Sequence, residues 1–219
     1  MASIILPHQG NKTEFADEFD CDCAYLKEDG SLSSDGIEIV SHPLSYQYAM
    51  EEFDIDGICK LALKHEFRSH DTDTCGIHVH VSRRPLTEKT IGNIIEFIEY
   101  NWDDIVKFTR RNSDSLIRWA NRYGKDIIED TPEKTYCLAN QTASRYRALN
   151  LQNSSTIEFR IFRGTLKVDT IKAIVQFCNN LVHYCMSMDD VKKTKFRDIV
   201  EFGNQAELVS FCENKGLLA

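Results

Sequence analysis

Residues 76–82 read Gly-Ile-His-Val-His-Val-Ser, an alternation that restricts the fold more than any other stretch of the chain. In a strand of period two, Ile77, Val79 and Val81 point to one side and His78 and His80 to the other. The apolar side needs a covering layer, and the histidine side must face something polar. The same period recurs in TIEFRIFRG, residues 156–164, where Glu158, Arg160 and Phe162 share one side and Ile157, Phe159, Ile161 and Arg163 the other. In residues 37–39, Glu38 opposes Ile37 and Ile39. Three strands far apart in the chain thus each offer a charged or titratable group opposite an apolar face. As neighbours in one sheet they would assemble a carboxylate, histidine and arginine cluster on its open side.

The remaining punctuation supplies the other elements. AYLKEDGSLSSDGIEIVSHPL, residues 24–44, reads as two strands joined by a turn-rich loop with Asp-Gly at each end, the second closed by Pro43. Residues 46–67 follow helical spacing with an interruption at Asp56-Gly57, and a strong helical repeat starts at Thr87 and runs to about Thr109. Residues 112–124 predict a shorter helix stopped by Gly124, and 126–134 a linking loop. YRALNLQ and TIEFRIFRG, separated by Asn153-Ser154-Ser155, predict a hairpin, and the sequence from Thr165 onward is helical by period. Residues 1–24 follow no clear pattern. The fold class expected is α+β: a single domain over 1–219, with a mostly antiparallel sheet and helices packed on one face.

Composition narrows the function. A formal charge of -8 argues against nucleic acid or anionic lipid as general partners, since neither polyanion attracts a net acidic surface. No stretch approaches the roughly 20 apolar residues of a membrane span, and MASIILPHQGNK is too short and too unflanked for a secretory signal. A cytoplasmic protein is expected. Its eight cysteines, at 21, 23, 59, 75, 137, 178, 185 and 212, show no CxxC spacing, and reduced, mostly buried thiols fit them better than a zinc site. Trp102, Trp119 and the phenylalanines at helical spacing read as core. Arg83-Arg84 and Arg110-Arg111 each end an element, as solvated pairs or as the lining of a substrate mouth.

The cluster suits a cation and a phosphate. Carboxylates and a neutral imidazole hold divalent metals, and guanidinium matches phosphoryl oxygens through two parallel hydrogen bonds. Magnesium prefers oxygen ligands, so a histidine in the shell favours manganese. Two plainer readings stand beside this one. His-x-His also decorates half-exposed strands, and Glu-x-Arg also forms solvated ion pairs worth about 0.2–1 kcal/mol.

CGIHVHVS resembles the Gly-x-His-x-His-x-Ser signature of the glutamine synthetase fold, and TIEFR the Glu-x-Arg strand that follows it. More closely, KEDGSLSSDGIEIVSHPL, SHDTDTCGIHVHVSRR, RRNSDSLIRWANRYG and RYRALNLQNSSTIEFRIFRGTLK together resemble the amidoligase family of phages and bacteria, a carboxylate-amine ligase branch of that superfamily. The likeness covers about residues 24–186, leaving 187–219 as a helical extension. It implies a glutamine synthetase-like catalytic fold, with or without its first strand, in the cytoplasm of a bacterium or a phage-infected cell.

The resemblance also implies roles. His78 and Glu158 would ligate metal together with Glu38 of the Gly-x-Glu-x-Val-Ser block, and His80 would lie by the nucleotide phosphates. Arg160 would meet the phosphoryl group in transfer, making Arg160, Glu158 and His78 the catalytic set. Arg147, Asn150 and Arg163 border the same strands as nucleotide or substrate contacts, and Asp29 and Ser31 sit in the family's Asp-Gly-Ser block. ATP with Mg2+ or Mn2+ would drive amide formation between a small-molecule or peptide carboxylate and an amine through an acyl phosphate. Family members open with a strand carrying Glu-x-Glu, and none precedes Asp29 here; Asp20-Cys21-Asp22 is the acid-x-acid spacing nearest that block. A degenerate homologue that binds nucleotide, metal or a partner without turnover, and a metal-dependent hydrolase using His-x-His, are the other readings.

Overall fold

A computed structural model describes the backbone of residues 2–6 and, in full, residues 11–28, 36–69 and 75–218. Among the described residues six strands form one sheet: β1 (Ala2–Leu6), β2 (Ala24–Lys27), β3 (Ile37–Ser41), β4 (Gly76–Ser82), β5 (Leu149–Asn150) and β6 (Thr156–Arg163). Their spatial order is β2-β3-β1-β4-β6-β5, and every pairing is antiparallel. Among the described residues ten α-helices and a short 3-10 turn (Lys125–Ile127) accompany them: α1 (Lys12–Glu18), α2 (Tyr46–Glu51), α3 (Ile55–Lys64), α4 (Glu88–Tyr100), α5 (Trp102–Thr109), α6 (Ser113–Trp119), α7 (Pro132–Gln141), α8 (Val168–Ser187), α9 (Phe196–Gly203) and α10 (Ala206–Asn214).

The alternation in β3, β4 and β6 decides where the helices go. Ile37, Ile39, Ile77, Val79, Ile157 and Phe159 join one continuous buried cluster with Ile94 and Phe97 of α4 and Phe177 and Leu181 of α8. Each such side chain contributes about 1.5–3 kcal/mol by leaving water, which is what holds the helical layer on this face. The fold is thus α+β, with an antiparallel sheet covered by helices on one side. All eight cysteines are free thiols, and among the described residues no helix is long and apolar enough to cross a membrane.

Several elements differ from the sequence expectation, each for a local reason. The unread N-terminal stretch supplies β1, which lies between β3 and β4, and α1, capped by the Asn11 side chain accepting from the Glu14 N–H. The first helical region breaks before Ile55 rather than at Asp56-Gly57, because the Asp54 carboxylate accepts from the Gly57 N–H and starts a new helix. The long helix divides at Asn101, whose side-chain amide donates to the carbonyls of Phe97 and Thr194. The supposed linking loop contains the start of α7, where Thr131 caps and Pro132 occupies the first turn.

One difference reaches the site. Ile77 pairs with Phe162 and Val79 with Phe159, so two steps along β4 match three along β6, a β-bulge. The extra residue reverses the face assignment at the end of β6. Phe162 turns into the core, where its ring meets Phe108 edge-on at 6.2 Å, and Arg163 comes opposite Gly76 on the histidine side. Strict alternation places both on the opposite faces, and the bulge corrects it.

Candidate functional site

Glu158 is the centre of the open face. It is buried, and both of its carboxylate oxygens are engaged: Oε1 accepts from Arg160 Nη1 at 2.5 Å and faces His78 Nδ1 at 3.2 Å, while Oε2 accepts from Asn150 Nδ2 at 2.7 Å. These partners come from β4, β5 and β6, and the register explains why they meet. Asn150 and His80 both pair with Glu158 across neighbouring strands, and Arg160 follows Glu158 by one period on the same strand. His80 Nε2 lies 3.7 Å from Glu158 Oε1, and its Nδ1 is 3.2 Å from Thr156 Oγ1.

A second guanidinium enters from below. At the end of α5, Arg110 takes the left-handed conformation (φ 58, ψ 16), which turns the chain so that Arg111 points back towards the sheet. Arg111 Nη1 donates to the Arg160 carbonyl at 2.7 Å, and Arg111 is buried. Burial and the Arg160 charge push its pKa down to about 10, so it remains cationic near neutrality. The Nε atoms of Arg111 and Arg160 are both buried without a hydrogen-bond partner. Gly76 makes room for this side chain: a Cβ there would lie 3.3 Å from Arg111 Nη1 and 3.5 Å from His78 Nε2.

The surroundings set the protonation of the histidines. Burial pushes the His78 pKa well below its usual value, and the nearby charges of Arg160, Arg111, His80 and Arg145 push the same way. A proton on Nδ1 would face the Glu158 carboxylate and leave the lone pair on Nε2. His80 is also lowered by burial, against the pull of Glu158.

A family model described as "Putative amidoligase enzyme" matches residues 10–182. The chain belongs to this amidoligase family. The match takes in β2 to β6 and ends within α8, so all of the Glu158 cluster lies inside the amidoligase region. No curated protein matches the chain.

Of the residues expected to act in an amidoligase, His78, His80, Glu158, Arg160 and Asn150 are brought together. Arg163 shares the face by its pairing with Gly76. Two others stand apart. Glu38 is separated from His78 by β1 and pairs with Lys27, its Oε2 3.4 Å from Nζ. Arg147 stacks over Tyr123, 4.8 Å from the ring centroid, and donates to the Arg122 carbonyl at 2.8 Å, because it falls one residue off the Asn150 parity. Asp20 and Asp22 are exposed before the edge strand β2 and do not enter the site. Asp29 and Ser31 lie outside the described residues.

A divalent cation finds little to hold it here. Glu158 is engaged by Arg160, His78 and Asn150, Glu38 is paired with Lys27, and among the described residues no group of three His, Cys, Asp or Glu side chains is placed to hold a metal ion. Between β3 and β4, β1 sets Ser3 opposite His78 and Ile5 opposite Glu38. The described face is therefore rich in guanidinium and poor in unengaged carboxylate. Arg111 is the site residue that the sequence showed only as one half of an Arg-Arg pair. Its signal was its place at the end of a helix, next to a family block.

Proposed function

We propose that the chain is an ATP-dependent carboxylate-amine ligase. The observation that supports this best is the buried Arg111 beside the half-buried Arg160, bonded to it through the Arg160 carbonyl, with Glu158 balancing only one of the two charges. An uncompensated buried guanidinium is costly, and an oxyanion between the two would complete both. In the proposed reaction a substrate carboxylate oxygen attacks the γ-phosphorus of ATP, the bond to ADP breaks, and an acyl phosphate forms. The amine then attacks the acyl carbon, a C–N bond replaces the C–O bond, and phosphate and a proton leave.

Each described residue has a task in that sequence. Arg160 and Arg111 neutralise charge on the phosphoryl oxygens, in a face whose dipoles are already fixed by the strands. Glu158 and Asn150 hold Arg160 in one rotamer. The Nε2 lone pair of His78 is an acceptor for the proton that the attacking amine must lose. Incubation with ATP, magnesium or manganese, and panels of acids and amines should release ADP only when both substrates are present. Persistent absence of that release, in protein shown to be folded, would refute the reading.

A second reading is a homologue that binds nucleotide without turnover, and Ser3 and Ile5 in β1 favour it. Calorimetric nucleotide affinity together with no ADP release would select it over the ligase.

A further inference from the structure

The helix-covered side of the sheet holds a cavity of about 550 Å³ between α2 and α3 on one flank and α8 on the other. Its floor is Ile39, Val79 and Val81, the apolar partners of Glu38, His78 and His80 in the strand alternation. Met50, Phe53 and Ile58 form one wall and Val175, Cys178 and Val182 the other. The size and the apolar lining with a few polar groups match those of small-molecule sites.

Charge and position narrow the occupant further. Lys172 and His183 of α8 line the cavity, and no carboxylate is among its described lining residues, so a cation is disfavoured and an anion accommodated. His80 and Thr156 belong both to the cavity wall and to the Glu158 cluster: His80 Nδ1 is 3.2 Å from Thr156 Oγ1, and its Nε2 is 3.7 Å from Glu158 Oε1. We propose that this cavity receives the aliphatic or aromatic body of a monocarboxylate, with its head group at the His80 and Thr156 rim. As the acid to be activated, this molecule rests on the ligase reading above. As a bound ligand it does not.

Titration of decanoate into the nucleotide-free full chain, followed by calorimetry, separates the two. Saturable binding with one site and a Kd of about 1–100 µM is expected, with decylamine weaker by about tenfold or more. Val182→Phe and Val175→Phe should each weaken decanoate by about tenfold or more, since they fill the space from α8. Val175 is only half-buried, so its substitution leaves the core unstrained. The absence of saturable binding, equal binding of decylamine, or unchanged affinity in both filled variants would each overturn the proposal. Decanoate binding that never leads to ADP release with any amine would keep the cavity assignment and remove its ligand as the acid to be activated, while the ligase reading stands or falls with the wider panel of acids.

Discussion

The two halves of the open face differ in how their charges are held. In the half built by β4, β6 and β5, Glu158 has Arg160, His78 and Asn150 as partners, and a second cation, Arg111, lies behind them. In the half built by β2, β3 and β1, Glu38 meets only the well-exposed Lys27 among the ion pairs of the described residues, and β1 brings Ser3 and Ile5 to the pairing positions. One sheet thus carries a dense, cation-rich half and a sparse one. A strand order sets where charges are able to meet, and the residues at a few register positions decide whether the meeting place suits an anion or a metal.

Removing the two acids should expose this contrast most strongly. Glu158→Ala leaves the half-buried Arg160 guanidinium without its carboxylate and should cost about 1.5–3 kcal/mol in urea unfolding. Glu38→Ala breaks a pair whose lysine is largely in water and should cost about 1 kcal/mol or less. Equal losses would dissolve the distinction between the halves.

The dense half was largely legible in the sequence, because period two alone places His78, His80, Glu158 and Arg160 on one side of their strands. Asn150 was within reach of the same reasoning, as its strand pairs beside Glu158. What stayed hidden depends on irregular backbone. The bulge facing Ile77 to Val79 moves Phe162 and Arg163 to faces that strict alternation denies them, and the left-handed turn at Arg110 swings Arg111 into the site. β1 was unreadable for another reason. ASIIL is short and lacks alternation, and its place between β3 and β4 comes from pairing with strands far along the chain, a contact that no local pattern encodes.

The pH response sharpens the comparison next. His78 has a folded pKa below its unfolded value of about 6.5, so the unfolded state takes up the proton first. The stability tied to its neutral form is complete above about pH 6.5 and is lost as pH falls through the window below. Wild-type protein should therefore lose more stability between pH 7.5 and 5.5 than His78→Gln does in urea titrations. Glu96, raised by burial in α4, acts with the opposite sign, so only the difference between the two proteins reports on His78. Parallel loss in both would remove the buried neutral imidazole from the account.

Gly76→Ala should have the smallest effect. Its Cβ would lie 3.1 Å from the Phe162 carbonyl and 3.3 Å from Arg111 Nη1, close enough to shift the guanidinium by a few tenths of an ångström. Thermal unfolding should move by only a few degrees, as for a change of about 1 kcal/mol, while nucleotide affinity falls several-fold. Unchanged affinity would mean that Arg111 is not positioned by this glycine.

The central claim is that Arg111 and Arg160 together receive an oxyanion of the nucleotide, and calorimetric titration of ATP into wild-type and Arg111→Met protein tests it most directly. Arg111→Met removes a buried charge with an unsatisfied Nε, so the fold should keep its stability. The account predicts that ATP binds the wild type and is weakened about 30-fold or more by the substitution, the loss of one desolvated charge contact of roughly 2 kcal/mol. Equal ATP affinity in the two proteins would contradict it.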